Sequence, residues 1–306
     1  MWLSGAFGLE FCCKVRSDMR LALIAHRETE TNLRLLEAVP AGIEATLMSP
    51  TETLGRLGDG DAALARLDVL PTVDGIEPGA WELARLEAEG IRMLNPLRTL
   101  SATHDKLMTA RLLEAAGVPH PTTRHVTHPH TPPTLEPPYV VKPRFGSWGI
   151  DVRRCMDRAG ARACLEELSA RRWFRRQGAL VQELIPPLGR DLRIVVASGQ
   201  VVGAVKRFAA PGEWRTNVAL GGVRKPTSPP LAARELALAA AAAVDADLVG
   251  IDLLPTPAGG WVVIEVNGAV EFTDDYSLDR GVFTAAAEAL VGAAFGPQQE
   301  PVAALA

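Results

Sequence analysis

From Met19 onward, short continuous apolar runs alternate with stripes of helical period. Leu21 to Ala25 reads as a strand, Asn32 to Val39 as a helix and Gly42 to Met48 as the next strand. Leu67 to Pro71 reads as a further strand. The stretch from Pro78 to Glu89 reads as a helix with proline in its first turn and Gly90 at its end, before Ile91 to Leu94 resumes a strand. Such alternation predicts a small parallel sheet covered by helices. Past a boundary near residues 95–101, a helix is expected from His104 to Ala116, stopped by Gly117. Residues 119–138 are rich in Pro, Thr and His and read as a loop. Tyr139 to Lys142 reads as a strand entering a glycine-bearing loop, Arg158 to Trp173 as a helix and Leu180 to Leu184 as a short strand. Arg193 to Ala197 and Val201 to Val205 form a hairpin around Ser198-Gly199-Gln200, and Leu231 to Val244 is an alanine-rich helix. A last helix spans Phe283 to Ala294, and no internal repeat is visible. The expected class is α/β with α+β lobes.

Within this pattern, two apolar runs from Gly250 to Asn267 flank a Pro/Gly-rich turn, which signals a hairpin. A turn centred on Ala258-Gly259 sets Asp252 opposite Glu265, and Asn267 shares the face of Glu265. Two carboxylates with Cβ atoms roughly 5 Å apart destabilise a sheet unless a cation joins them. Mg²⁺ suits oxygen ligands that leave room for phosphates, which points to a nucleotide.

Other chemistry-bearing stretches are weaker taken singly. The loop Lys142-Pro143-Arg144-Phe145-Gly146-Ser147-Trp148-Gly149 could turn backbone amides and a lysine toward an anion, or could be an ordinary turn. It is no Walker A motif, because its lysine precedes its glycines. Asp105-Lys106 opens the preceding helix. Glu183-Leu184 ends a strand whose edge could meet a purine, and Asp191 could accept from ribose hydroxyls. Lys206-Arg207 and the run Glu213-Trp214-Arg215-Thr216-Asn217 could face phosphate or carboxylate.

Composition narrows the class. With 306 residues, 47% hydrophobic and 22% charged, the chain has the makeup of a soluble globular protein of two or three lobes. A net charge of −4 and no long basic block argue against a nucleic-acid partner, and no apolar run approaches a membrane span. Arg171, Arg172, Arg175 and Arg176 form the densest cationic cluster and read as a solvated helix face. Cys12, Cys13, Cys155 and Cys164 have neither metal spacing nor a disulfide framework, which fits a cytoplasmic location. His125, His128 and His130 read as exposed loop histidines. Residues 1–18 lack the features of a signal peptide and read as a disordered extension. The expected organisation is then 19–98, 99–178 and 179–306.

The order of lysine strand, hinge, arginine loop and carboxylate hairpin resembles the ATP-grasp superfamily. The likeness is to the RimK and LysX type of carboxylate–amine ligase, and covers nearly the whole chain from Met19. It rests on Lys-Pro-x-x-Gly-Ser-Trp-Gly at 142–149, Asp-Leu-Arg at 191–193, Trp-Arg-Thr-Asn at 214–217 and Glu-Val-Asn at 265–267. Asn267-Gly268-Ala269-Val270-Glu271-Phe272 looks like the LysX branch; the Pro-Gly that typically follows the asparagine in the RimK branch is missing. The resemblance implies two lobes clamping ATP behind an N-terminal α/β domain. It implies Lys106 and Lys142 on the phosphates under Gly146, Ser147, Trp148 and Gly149, and the Glu183-Leu184 backbone on adenine. Asp191 would hold ribose, and Arg215, Thr216 and Asn217 would approach the phosphates. Asp252, Glu265 and Asn267 would hold two Mg²⁺ ions, with Mn²⁺ able to substitute. Arg193 and Arg207 would steady an acyl phosphate, and Glu271 would receive the amine. The expected activity joins an amino acid to a glutamate-type carboxylate of a small acidic carrier protein, within amino-acid biosynthesis. A small-molecule α-L-glutamate ligase is the alternative. A nucleotide-binding module without catalysis is disfavoured by the retained metal ligands and lysines. A homo-oligomer is expected. The segments at 72–78 and 273–280 match no substrate pattern.

Overall fold

The computed structural model describes residues 19–130 and 134–296; the expected extension at 1–18, with Cys12 and Cys13, lies outside them. Three sheets follow one another along the chain. The first is parallel, in the order β2-β1-β3-β4, from β1 (Arg20–Ile24), β2 (Glu44–Met48), β3 (Ala62–Ala65) and β4 (Arg92–Leu94). Helices α1 (Glu30–Glu37), α2 (Pro50–Thr53) and α3 (Ala80–Ala88) connect its strands. The third strand falls before the expected Leu67 to Pro71. Its Ala-Ala-Leu-Ala sequence carries little strand propensity, and full burial on both faces decides the matter.

The helix expected from His104 is two helices, α4 (Leu97–His104) and α5 (Lys106–Ala115). They meet at Asp105, whose carboxylate caps α5 by accepting from the amides of Leu107 and Met108. The second sheet is antiparallel, ordered β5-β8-β6-β7, from β5 (Thr123–Val126), β6 (Tyr139–Pro143), β7 (Arg153–Cys155) and β8 (Ala179–Glu183). Its edge strand β5 lies inside the Pro/Thr/His segment expected to be loop. There His125 is half-buried with its ring on Gln177 O, while His128 and His130 are exposed. Helix α6 (Arg158–Ser169) and a separate α7 (Arg172–Gln177) cover this sheet. Cys155 and Cys164 are free thiols.

The third sheet runs β11-β10-β9-β12-β13, from β9 (Arg190–Ala197), β10 (Gln200–Phe208), β11 (Val223–Pro226), β12 (Leu248–Pro255) and β13 (Trp261–Asn267). Helix α8 (Leu231–Ala243) lays Ala233, Ala237, Ala240 and Ala241 on one face; their small side chains allow close approach. Helix α9 (Val282–Phe295) covers the other face and shares one core with the first sheet: Phe283, Ala286 and Leu290 pack with Leu21, Leu23 and Leu64 as well as Val195 and Val205. The C-terminal helix thus joins the first and third sheets.

A tight loop after β3 reaches the second sheet. Closed by a Val69–Ile76 bridge, it holds Val73 at φ 50° and buries it among Tyr139, Val141, Trp173 and Phe174. Beside it, the buried Asp74 carboxylate accepts from Arg176 Nη1 at 2.8 Å and lies 3.3 Å from Arg172 Nε. Half of the arginine cluster read as a solvated face is therefore engaged with this loop.

Candidate active site

Two cavities meet between the second and third sheets. The first, about 140 Å³, runs from the hinge at Glu183-Leu184 to the loop Gly146–Gly149. Apolar side chains from both sheets, Val140, Ile150, Leu184, Leu254 and Ile264, wall one end. Lys106, Lys142 and Arg215 make the other end cationic. The second cavity, about 330 Å³, is polar and lined by Asp68, Arg193, Arg207, Arg224, Asn267 and Glu271. Lys106, Gly146, Ser147, Trp148, Asn217 and Glu265 border both.

The lysines differ in setting. Lys106, the first residue of α5, donates to Gly146 O and lies 3.0 Å from a Glu265 carboxylate oxygen. Lys142 on β6 is buried, and that burial pulls its ammonium down to about 8, with Glu265 pulling the other way. Gly146 has φ +148°, and a Cβ there would stand 3.3 Å from Val73, so the loop from the first sheet abuts the glycine loop. Across the cavity, Arg215 donates to Gly149 O at 3.0 Å and is pinned by Glu213 at 2.8 Å. Thr216 and Asn217 also line the first cavity.

At the hinge, the Glu183 amide donates to Thr122 O and the Leu184 amide to Pro138 O. What the hinge offers a base is therefore carbonyl oxygen and the amide of Ile185, which donates to no acceptor among the described residues. Ile185 directly follows the Glu183-Leu184 pair that the sequence singles out.

The carboxylate hairpin forms, and Asp252 stands opposite Glu265. It does so through a bulge: from Pro255↔Trp261 to Leu253↔Val263 the register centres on Pro257-Ala258-Gly259, and it shifts by one residue before Asp252. Asp252 is buried and grips two arginines. Arg193 donates through Nε at 2.6 Å and Nη2 at 2.7 Å, and Arg207 Nη2 stands at 2.9 Å. Burial pushes this carboxyl up, but the two guanidinium charges outweigh it and hold it near 2. Asp252 itself lines neither cavity, whereas Glu265 lines both and Asn267 the second. Asn267 spends its amide nitrogen on Gly250 O, leaving its oxygen for another partner.

Asp191 departs from the expected ribose contact. Its carboxylate is buried and takes Arg207 Nε at 2.8 Å and Thr216 Oγ1 at 2.6 Å. It bonds across to β10 and lines neither cavity, and its neighbours Gly189 and Arg190 line the first cavity in its place. Asp191 and Asp252 instead flank Arg207, and the two negative charges raise that guanidinium well above its usual value despite burial.

For a divalent ion, two carboxylates and an amide oxygen on adjoining strands are suitable hard donors. Two of the three face a cavity, and the described residues contain no group of three or more His, Cys, Asp or Glu able to hold a metal alone. That partial set fits an ion that takes its remaining oxygens from phosphate.

A family model describing the RimK-like ATP-grasp domain matches residues 103–288, which include the whole lining of the first cavity and all but Asp68 and Val69 of the second. The chain belongs to the RimK-like ATP-grasp family. Glutamate–LysW ligase ArgX of Sulfurisphaera tokodaii is 30% identical over 198 residues, 63% of this chain and 70% of that protein. A probable alpha-L-glutamate ligase 2 of a Shewanella species is 29% identical over 269 residues, 82% of this chain and 88% of the other. Among solved structures, a RimK domain ATP-grasp protein from Sphaerobacter thermophilus matches with TM-score 0.63 at 25% identity, over 89% of this chain and 100% of its own. D-alanine–D-alanine ligase from Bacillus anthracis matches with TM-score 0.66 at 16% identity, over 90% and 97%, a likeness of fold. The RimK-like chain is a carboxylate–amine ligase, an enzyme that forms carbon–nitrogen bonds, and ATP-grasp ligases in general use ATP and divalent metals. No helix among the described residues is long and apolar enough to cross a membrane.

Sequence reasoning passed over several cavity residues. His104, buried with its ring on Leu67 O and pulled down to about 4 by that burial, lies beside Lys106 as a neutral group. Asp68 lies in the stretch read as a strand, which is a loop after β3, and Arg224 on the edge strand β11, so only the assembled fold reveals them in the cavity.

Proposed function

We propose that ATP occupies the first cavity, that the second receives the acid and the amine, and that this enzyme attaches an amino acid to a glutamate-type carboxylate ending a small acidic carrier protein. The observation that carries the reading is the junction of the cavities. An apolar slot with a cationic end opens, across Lys106 and the glycine loop, onto a chamber walled by arginines and Glu271. Adenine would lie against Leu184, Leu254 and Ile264, with Lys106, Lys142 and Arg215 on the phosphates. Glu265 and Asn267 would hold Mg²⁺, which neutralises phosphate charge when bound, and Asp252 would join them only by releasing a guanidinium from one of its oxygens. The proposed domains are 19–98, 99–178 and 179–306, with the phosphates between the last two.

A carboxylate oxygen of the acid attacks the γ-phosphorus and ADP departs, leaving an acyl phosphate. The amine nitrogen then attacks the acyl carbon, phosphate leaves with the bonding electrons, and the amine's proton passes to the Glu271 side. Arg193 and Arg207 stabilise the acyl phosphate, and the rest is positioning. The alternative, addition of glutamate to a small molecule, is favoured by the relatives named alpha-L-glutamate ligases, whose likeness extends over 82% of the chain. A screen decides. ADP release is measured with each common amino acid, offered with a glutamate-ended carrier peptide or with free dicarboxylic acids. Release that needs the peptide supports the carrier reading; release with free acids alone replaces it.

A further inference from the structure

We propose that Arg66, in the N-terminal sheet and outside every motif of the ATP-grasp region, is a positioning residue for the amine half of the reaction, acting through Glu271. The inference rests on the reading of Glu271 given above. Arg66 follows β3 directly, and its side chain is 1% exposed. A guanidinium removed from water is expensive, and burial does lower its proton affinity, with Glu271 pulling it back. Such a group persists only where its geometry is specified. Nε donates to Asn32 Oδ1 at 2.7 Å, and Nη2 to Val270 O at 2.9 Å and Glu271 Oε1 at 3.0 Å. Nη1 has no partner among the described residues, so hydrogen bonding alone does not repay the burial.

The contacts lead to one carboxylate. Thr29, the residue that caps α1, donates from Oγ1 to the same Glu271 oxygen at 3.1 Å. Asn32, held by Arg27 O, fixes the guanidinium in turn. Glu271 Oε1 therefore receives two donors from the segments that follow β1 and β3, whereas Oε2 receives none among the described residues, and the side chain is 52% exposed in the second cavity. One oxygen is clamped and the other is presented. A mere tie between sheets would not need a half-exposed carboxylate at its end, and α9 already joins the two sheets through an apolar core.

The test separates the two halves of the reaction. Hydroxylamine, a neutral nucleophile, traps an acyl phosphate as the hydroxamate without needing a site for a cationic amine. For Arg66→Lys and Arg66→Ala, hydroxamate formation and the KM for ATP should stay within about twofold of wild type. The kcat/KM for the amino acid that gives fastest ADP release should fall about tenfold or more. In the Glu271→Ala background the same Arg66 substitutions should cost no more than about twofold, because their partner is gone. Thr29→Asp guards against misfolding at a buried site. It keeps the helix cap but sets a like charge against Glu271, and should reproduce the amine-specific loss. Equal losses with hydroxylamine and amino acid, or an undiminished Arg66 effect without Glu271, would make Arg66 structural and overturn the inference. If Glu271→Ala itself leaves amine kinetics unchanged, the reading of Glu271 fails first, and Arg66 falls with it.

Discussion

Lys142 shows how one buried residue ties proton affinity to two observables of opposite sign. Its ammonium titrates near 8 in the folded chain against the ordinary 10.5. Between those values the unfolded chain binds more protons, so folding stability rises as pH rises. Phosphate affinity moves the other way, because the charge that attracts phosphate is lost above about pH 8. The KM for ATP should therefore climb between pH 7.5 and 9 while the thermal midpoint does not fall with it, and Lys142→Arg should flatten the KM profile. Asp252 is a second case. Asp252→Asn leaves Arg193 and Arg207 sharing one fewer buried negative charge, so it should lose on the order of 3 kcal/mol in urea unfolding as well as activity. Glu265→Gln removes the ion pair with Lys106 and the charge that steadies the buried Lys142, but no buried salt bridge of its own hairpin, and should keep the wild-type fold while turnover drops about a hundredfold, or about 2.7 kcal/mol of barrier. A Glu265→Gln enzyme with wild-type turnover would remove this hairpin from the chemistry.

At the scale of elements, the carboxylate hairpin was legible because its two runs and turn residues are local. The sequence could not disclose the bulge: a regular hairpin with the observed turn would pair Asp252 with Ile264, and one extra residue restores Glu265. The lysine strand and glycine loop were legible for the same local reason. The engagement of Asp191 was not legible, because its partner is Arg207, on the next strand, and a cross-strand bond leaves no trace in a single run of sequence. Likewise Arg66 and Glu271, 205 positions apart, are neighbours only in the folded chain. One element exposed to a small change is β12. A Cβ at Gly250 would come within 2.4 Å of Val270 Cγ2, next to the carbonyl that Arg66 holds. Gly250→Ala should lower stability by about 1–3 kcal/mol and depress amine use beyond what the lost stability explains. Denaturant melts and amine kinetics on one preparation check both parts.

For the whole molecule, the loop bridging the first and second sheets sets the terms on which the cavities communicate. Asp68, near its start, lines the second cavity; Val73 and Asp74, at its tip, seat in the sheet that carries Lys142 and the glycine loop. Whatever settles against Asp68 is thus mechanically continuous with whatever settles under Gly146. The thermodynamic consequence is reciprocity: the factor by which nucleotide tightens the amine must equal the factor by which the amine tightens nucleotide. Asp74→Asn removes the charge that Arg172 and Arg176 grip from the solvent side, a pairing worth about 1 kcal/mol at such exposure. Titrations run in both orders should show the two factors shrinking together, by up to about fivefold and by the same amount. Factors that stay at their wild-type value in Asp74→Asn would mean that this loop does not carry the coupling. Shared shrinkage would mean that the affinity of this ligase for one substrate in the presence of the other is set partly by a loop whose tip, at Val73 and Asp74, lines neither cavity.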